Sequence, residues 1–244
     1  MGPRVRHYPK PCKHDDVIIV PGFGCEENDW SLYYKLVEEM RSLQDSGQKR
    51  SEWIPWNEGC HLISKNPKNC PTYEAIVNKM CEYFKIVQTR KVKTRFNWYR
   101  DSSDWKPFHH DCAAYSMKMS RHQNVTVGIS FGDTREIAFL NKAKTRLYIK
   151  QKNGMLFHFG RDVNINWQHA VNALPKDEQT GKGRISIIVW GWVRNCVEEP
   201  GSPQIRNDPF KQEDFEKEET KVMTTESALS ALKESVHAGQ YLSK

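Results

Sequence analysis

The feature that most constrains this chain is a change of hydrophobic period near residue 85. Before it, apolar residues recur at helical spacing. Trp30, Tyr33, Leu36, Val37 and Met40 form one stripe, with Asp29 placed to cap it. Tyr73, Ile76, Val77, Met80 and Phe84 form a second. Beyond the change, residues 87–99, 125–131, 135–140, 146–152, 155–159 and 184–193 favour extended backbone. Gly132-Asp133, Asn153-Gly154 and Gly181-Lys182-Gly183 punctuate these segments, and Asn153-Gly154 predicts a hairpin. Helices followed by a run of short strands predict an α+β fold, with a closed or sandwiched sheet backed by N-terminal helices.

The same pass sets the organisation. Residues 1–16 read as a flexible lead-in, 17–197 as one domain and 198–244 as a charged tail with a possible terminal helix. A short buried strand is expected at 17–20. Residues 44–71 hold Trp53, Trp56 and His61 without clear periodicity, and a loop of that length is usually functional.

Composition narrows the class. The 244 residues carry 37 Lys+Arg against 30 Asp+Glu, a net charge of +7. Ten of the acids but only six of the bases lie in 198–244, so residues 1–197 hold 31 bases against 20 acids. A body of net +11 favours a polyanionic partner, nucleic acid first. No apolar run approaches the roughly 18–20 residues that span a bilayer, so no membrane role is expected. The N-terminus has no secretory signal, and seven cysteines without a CxxC pair fit a reduced compartment, nuclear or cytoplasmic.

Chemistry concentrates in the strand-rich half. His109 and Asp111 are two apart in Phe108-His109-His110-Asp111, so a strand would project both to one face. One imidazole and one carboxylate are two of the three ligands of a non-haem Fe(II) facial triad. His169, in Trp167-Gln168-His169, supplies a further imidazole beside a run of strands, and His158 is a rival for the same role. Arg184 and Ser186 alternate to one face of an apolar strand, where an unpaired guanidinium is costly. A bound dicarboxylate would satisfy it. Asn97 and Tyr99 share a face upstream.

The ordered set Asn97-x-Tyr99, His109-x-Asp111, 129–136 (ISFGDTRE), His169 and Arg184-x-Ser186 resembles the AlkB-like branch of the 2-oxoglutarate- and Fe(II)-dependent dioxygenases. The resemblance covers residues 95–193. It implies a double-stranded β-helix, or jelly roll, with iron at its mouth. His109, Asp111 and His169 would bind the metal. Arg184 and Ser186, helped by Tyr99, would hold the distal carboxylate of 2-oxoglutarate, and Asn97 its other end. The family keeps a short spacing from the third ligand to the arginine, which favours His169 over His158. Strand parity favours His109 over His110. AlkB-like enzymes carry a second arginine six residues after the first, where this chain has Trp190. An aromatic there also looks like the TET and J-binding-protein oxygenases of DNA methylpyrimidines.

The resemblance implies oxidation, and demethylation, of a methylated base in DNA or RNA, with 2-oxoglutarate converted to succinate and CO2. Lys91, Lys93 and Arg95 would form a basic track on the face of Asn97 and Tyr99 if the strand is unbroken. Lys142, Lys144, Arg146, Lys150 and Lys152 form a second basic run. Trp53 and Trp56 sit where such enzymes carry a nucleotide-recognition lid, and could stack on an extruded base. The alternatives are an oxygenase of similar fold acting on a protein side chain or small metabolite, and a non-catalytic nucleic-acid-binding module.

Overall fold

The computed structural model describes residues 12–45, 51–56, 59–65, 67–89, 91–194 and 196, with backbone alone for 44–45, 51–56, 59–63 and 65. The tail and most of the lead-in lie outside the described residues. Two antiparallel sheets make up the body, with few helices.

Strand β1 (Val17–Val20) and helix α1 (Ser31–Asp45) open the chain, and β2 (Ser51–Trp56) and β3 (Gly59–Lys65) follow. Helix α2 (Pro71–Tyr83) precedes β4 (Lys93–Tyr99), β5 (Lys106–His109), a short helix α3 (Met117–Ser120) and β6 (Val125–Gly132). Then come β7 (Arg135–Asn141), β8 (Arg146–Gln151), β9 (Leu156–Gly160), α4 (Arg161–Asn166), β10 (Trp167–Val171) and β11 (Arg184–Gly191). The larger sheet has the order β1-β9-β6-β11-β4-β3-β2, the smaller β5-β10-β7-β8. From β4 onward the pairing is nested: β4 with β11, β5 with β10, β6 with β9 and β7 with β8.

Alternation divides the large sheet into two environments. One face presents Phe96, Val125, Val127, Ile129, Phe131, Leu156, Ile185, Ile187 and Val189 to the helices, where Leu36, Met40, Met80 and Phe84 complete the main core. The other face looks across to the small sheet. Phe157 and Phe159 meet Ile137, Phe139 and Val163 there, in a smaller apolar cluster. Both helices form where the spacing predicts. Pro71 occupies the first turn of α2, where its missing N–H is harmless. The Glu39 carboxylate of α1 accepts from the N–H groups of Thr72 (2.7 Å) and Tyr73 (3.2 Å), capping α2 from the neighbouring helix.

Three expectations are corrected. Residues 51–56 and 59–65 are strands rather than loop: they pair with each other and extend the sheet from the edge of β4. Main-chain pairing needs no apolar alternation, so periodicity could not reveal them. Residues 12–16 are not a free lead-in, because Cys12 and His14 are buried and the carbonyls of His14 and Asp16 accept from Asp162 and Gly160. Asn153-Gly154 is a turn but not a hairpin, since β8 pairs with β7 and β9 with β1 and β6. Gly154 has φ +71°, and a Cβ there would lie 2.1 Å from the Cys25 carbonyl oxygen. The Asn153 amide donates to the carbonyls of Glu26, Glu27 and Asp29 and accepts from Gly132. The pair thus fastens a crossover between sheets to the N-terminal loop.

His158 lies on the helix face of β9, stacked on Phe84 at 5.0 Å, with no hydrogen-bond partner for either ring nitrogen. Burial pushes its pKa down to about 3. The unfolded chain therefore takes up a proton below pH ~6.5 that the folded chain refuses, and stability falls with pH from there toward 3. Replacing the ring with phenylalanine (His158→Phe) removes this term. Denaturant unfolding is expected to show the variant gaining about 2 kcal/mol on wild type between pH 7.5 and pH 5. Parallel pH profiles would refute that origin.

Candidate metal centre

The small sheet brings the site together. His109 ends β5 and His169 lies in the middle of β10, and the two are register partners. Asp111 follows in extended conformation, φ −67° and ψ 148°, just before a turn of 3-10 helix at Cys112–Ala114. The parity predicted for His109 and Asp111 therefore holds although the strand itself stops at His109. The ligand atoms of His109, Asp111 and His169 lie within 4.8 Å of one another, a group that could hold a metal ion. His169 Nε2 is 3.7 Å from Asp111 Oδ1, and the two imidazole centroids are 4.2 Å apart.

Hydrogen bonds fix how each group is presented. His109 Nδ1 lies 2.9 Å from the Pro107 carbonyl, which can only accept, so that nitrogen carries the proton. Its Nε2 is left with a lone pair, buried and without a partner. Asp111 is held twice. Thr126, on the large sheet, donates to Asp111 Oδ2 at 2.8 Å. Asn164 of α4 accepts from the Asp111 N–H (2.8 Å) and donates to its carbonyl (3.2 Å). Burial holds both imidazoles neutral: it lowers His109 well below the usual histidine range and His169 to about 4. Neutral imidazoles beside a fixed carboxylate are the protonation states that metal binding requires. His110 faces away, with Nδ1 donating to the Asn164 carbonyl and its ring edge-on to Tyr115. His158 points to the opposite face of the large sheet.

Deeper on the inner face, β11 and β4 place a second constellation. Arg184 is opposite Tyr99 and Ser186 opposite Asn97, so all four share that face. Arg184 is 2% exposed. Its Nε donates to Ser130 Oγ at 2.8 Å and its guanidinium lies 5.3 Å from the Tyr99 ring centroid, but Nη1 has no partner. Burial lowers its pKa to about 10 and raises that of Tyr99. Asn97 donates to the Ser186 carbonyl at 3.2 Å, while its Oδ1 is unpartnered. A buried cation with an idle donor fits a bound carboxylate.

Arg135, 1% exposed, lies 5.7 Å from the same Tyr99 ring. Its Nη1 and Nη2 donate to the carbonyls of Asp101, Asp104 and Asn172 and so pin loops, while its buried Nε has no partner.

The basic expectations fare unevenly. β4 begins at Lys93, so exposed Lys91 stands outside the strand and the unbroken track is cut short. Lys93 and Arg95 do lie on β4, opposite Trp190 and Ile188. Arg146 and Lys150 are exposed on β8, an edge strand, and Lys152 pairs with Glu27 at 3.0 Å. The side chains of Trp53 and Trp56 lie outside the described residues. Sequence reasoning missed Thr126, Ser130 and Asn164. The parity of β6 exposes the first two, since 126 and 130 oppose the apolar 125, 127 and 129. Nothing in the sequence around Asn164 announces its role.

No family model matches the sequence, and no match was found among curated proteins. A prolyl-4-hydroxylase of Pseudomonas putida is 15% identical, over 73% of this chain and 92% of that one, with a TM-score of 0.47. A prolyl hydroxylase from Trichoplax adhaerens, solved with a hypoxia inducible factor oxygen degradation domain peptide fragment, is 13% identical over 72% of this chain and 83% of that one. Its TM-score is 0.51. This chain has the fold of that hydroxylase.

The bonds to Asp111 yield a measurable expectation. Thr126→Val and Asn164→Ala each leave the three candidate ligands intact but loosen the carboxylate. Titration calorimetry with a divalent transition metal is expected to show affinity weakened about 10–100-fold in each. Unchanged affinity in both would refute a role for these hydrogen bonds in presenting Asp111 to a metal.

Proposed function

We propose that this protein is an Fe(II)- and 2-oxoglutarate-dependent oxygenase that hydroxylates a C–H bond of its substrate. The observation that carries the reading is the convergence of His109, Asp111 and His169 on one inner surface with a buried guanidinium on the facing sheet, Arg184, whose Nη1 has no partner. The nested strand pairing supports a double-stranded β-helix, the architecture implied by the AlkB-like resemblance.

In this reading His109, Asp111 and His169 hold iron, and two imidazoles with one carboxylate leave positions free for other ligands. Bound iron and keto acid supply the oxidising chemistry, consuming O2 and releasing succinate and CO2 as the substrate gains a hydroxyl. The chain's own contribution is binding and exclusion. Arg184 pairs with the distal carboxylate of the keto acid, steadied by Ser130 and Tyr99, with Ser186 beside it. Asn97, which the resemblance assigns to the keto acid's other end, keeps a free Oδ1 while its amide N–H donates to the Ser186 carbonyl. Thr126 and Asn164 prevent Asp111 from swinging away. Phe139 and Phe159 pack against the His169 ring and hold it in place.

For the substrate, the shared fold with a hydroxylase solved on a peptide supports a protein side chain. The basic body and the AlkB-like order of residues favour a second reading, a methylated base in DNA or RNA. Incubation with Fe(II), 2-oxoglutarate and O2 against a peptide library and a panel of methylated oligonucleotides distinguishes them by which pool gains 16 Da or loses a methyl group. Succinate release is expected from wild type and is lost in Asp111→Ala. Arg184→Met is expected to weaken 2-oxoglutarate binding at least tenfold by calorimetry. If wild type forms no more succinate than Asp111→Ala, the oxygenase reading fails.

A further inference from the structure

The inner face is sealed at one end and open at the other. Asn97, Tyr99, Arg184 and Ser186 are buried. At the other end Arg95, Ile188 and Trp190 are partly exposed, as are β5 and residues 167–169 of β10. The triad therefore meets solvent from the side where β4 begins and β11 ends.

Two cations stand at that opening. Arg95 lies with its guanidinium 5.1 Å from the Trp190 ring centroid, and its buried Nε has no partner. The second is Lys106, hidden from sequence reasoning by a β-bulge. On β10, His169 and Val171 are two apart and share a face, yet their partners on β5 are His109 and Lys106, three apart. The extra residue turns Lys106 onto the face of His109, against simple alternation. Its charge acts on His109, and that of Arg95 acts on both Lys106 and His109. Among the described residues no carboxylate forms an ion pair with either cation; Asp111 acts on Lys106 only through space and is already tied to Thr126 and Asn164.

Charge balance then indicates what is missing. On the reading above, a divalent ion, the Asp111 carboxylate, a dianionic keto acid and Arg184 carry no net charge together. Arg95 and Lys106 are left over. Two half-buried cations that both act on His109 favour an oxyanion between them.

We propose that Arg95 and Lys106 form an oxyanion-binding subsite at the mouth of the site, and that the substrate carries a carboxylate or phosphate group close to the carbon that is oxidised. The proposal rests on the oxygenase reading for the identity of the anion's carrier, not for the existence of the subsite. Trp190, in the place where the resembled family has an arginine, forms one wall of this subsite beneath Arg95.

The test is calorimetric titration of Fe(II)-loaded protein, under anaerobic conditions with saturating 2-oxoglutarate, using sulfate for the phosphate class and acetate for the carboxylate class. Wild type is expected to bind at least one of them, and the tighter one names the class. Arg95→Gln and Lys106→Gln are each expected to weaken that binding at least tenfold, while Lys106→Arg stays within about threefold. Circular dichroism of each variant separates this loss from misfolding. Binding unchanged in both glutamine variants, or no binding to wild type, overturns the subsite. Anions that bind wild type only when 2-oxoglutarate is withheld assign the cations to the keto acid and overturn the substrate claim. Because the readout is binding, the two readings fail separately: succinate release without anion binding sinks this one alone, and anion binding without succinate release sinks the other.

Discussion

Everything in this molecule depends on the pairing of β11 with β4 on one side and β6 on the other. Ile185, Ile187 and Val189 alternate with Arg184, Ser186 and Ile188 along one strand, so a single register decides two environments at once. The odd positions bury against the helices and stabilise the sheet. The even positions build the floor of the inner surface. A slip of one residue would place a guanidinium in the helix-facing core, at a desolvation cost that its neighbours could not offset. The core thus enforces the position of the site residues, and the site residues impose little on the core.

The small sheet takes the opposite part. Its apolar contribution to the inner cluster is modest, and its edge strand β8 is largely exposed. What ties its site residues to the larger sheet is polar: Asp111 reaches across to Thr126, and Asn164 grips the Asp111 backbone from α4. Buried hydrogen bonds to a charged group are stronger than neutral ones and leave a costly orphan when broken. That makes the carboxylate a joint between sheets as well as a candidate ligand.

Much of this was legible in the sequence because it obeys alternation. His109 with Asp111, Asn97 with Tyr99 and Arg184 with Ser186 are pairs two apart, and each pair shares a surface as parity requires. The two helices followed from spacing in the same way. What stayed hidden breaks period two or is held by backbone alone. Lys106 is displaced by a bulge, β2 and β3 form by pairing to an existing edge, and Asn153-Gly154 serves a crossover whose destination only the tertiary structure reveals. The choice of a third candidate ligand shows the limit well. His158 and His169 are both strand histidines in apolar surroundings, and only the facing partner, Phe84 for one and His109 for the other, separates a packed ring from a presented one.

The nested pairing of β4 to β11 has a kinetic side. Tyr99 and Arg184 are register partners 85 residues apart in sequence, whereas β7 and β8 are joined by a short turn. Loop-closure entropy lets the innermost hairpin form early and the outermost pair late. Arg184, Ser186, Asn97 and Tyr99 all belong to that last pair. The three candidate metal ligands and the residues proposed to hold the keto acid are thus assembled by strand pairs of very different loop length, and the longest closure falls to the pair that builds the floor of the inner surface.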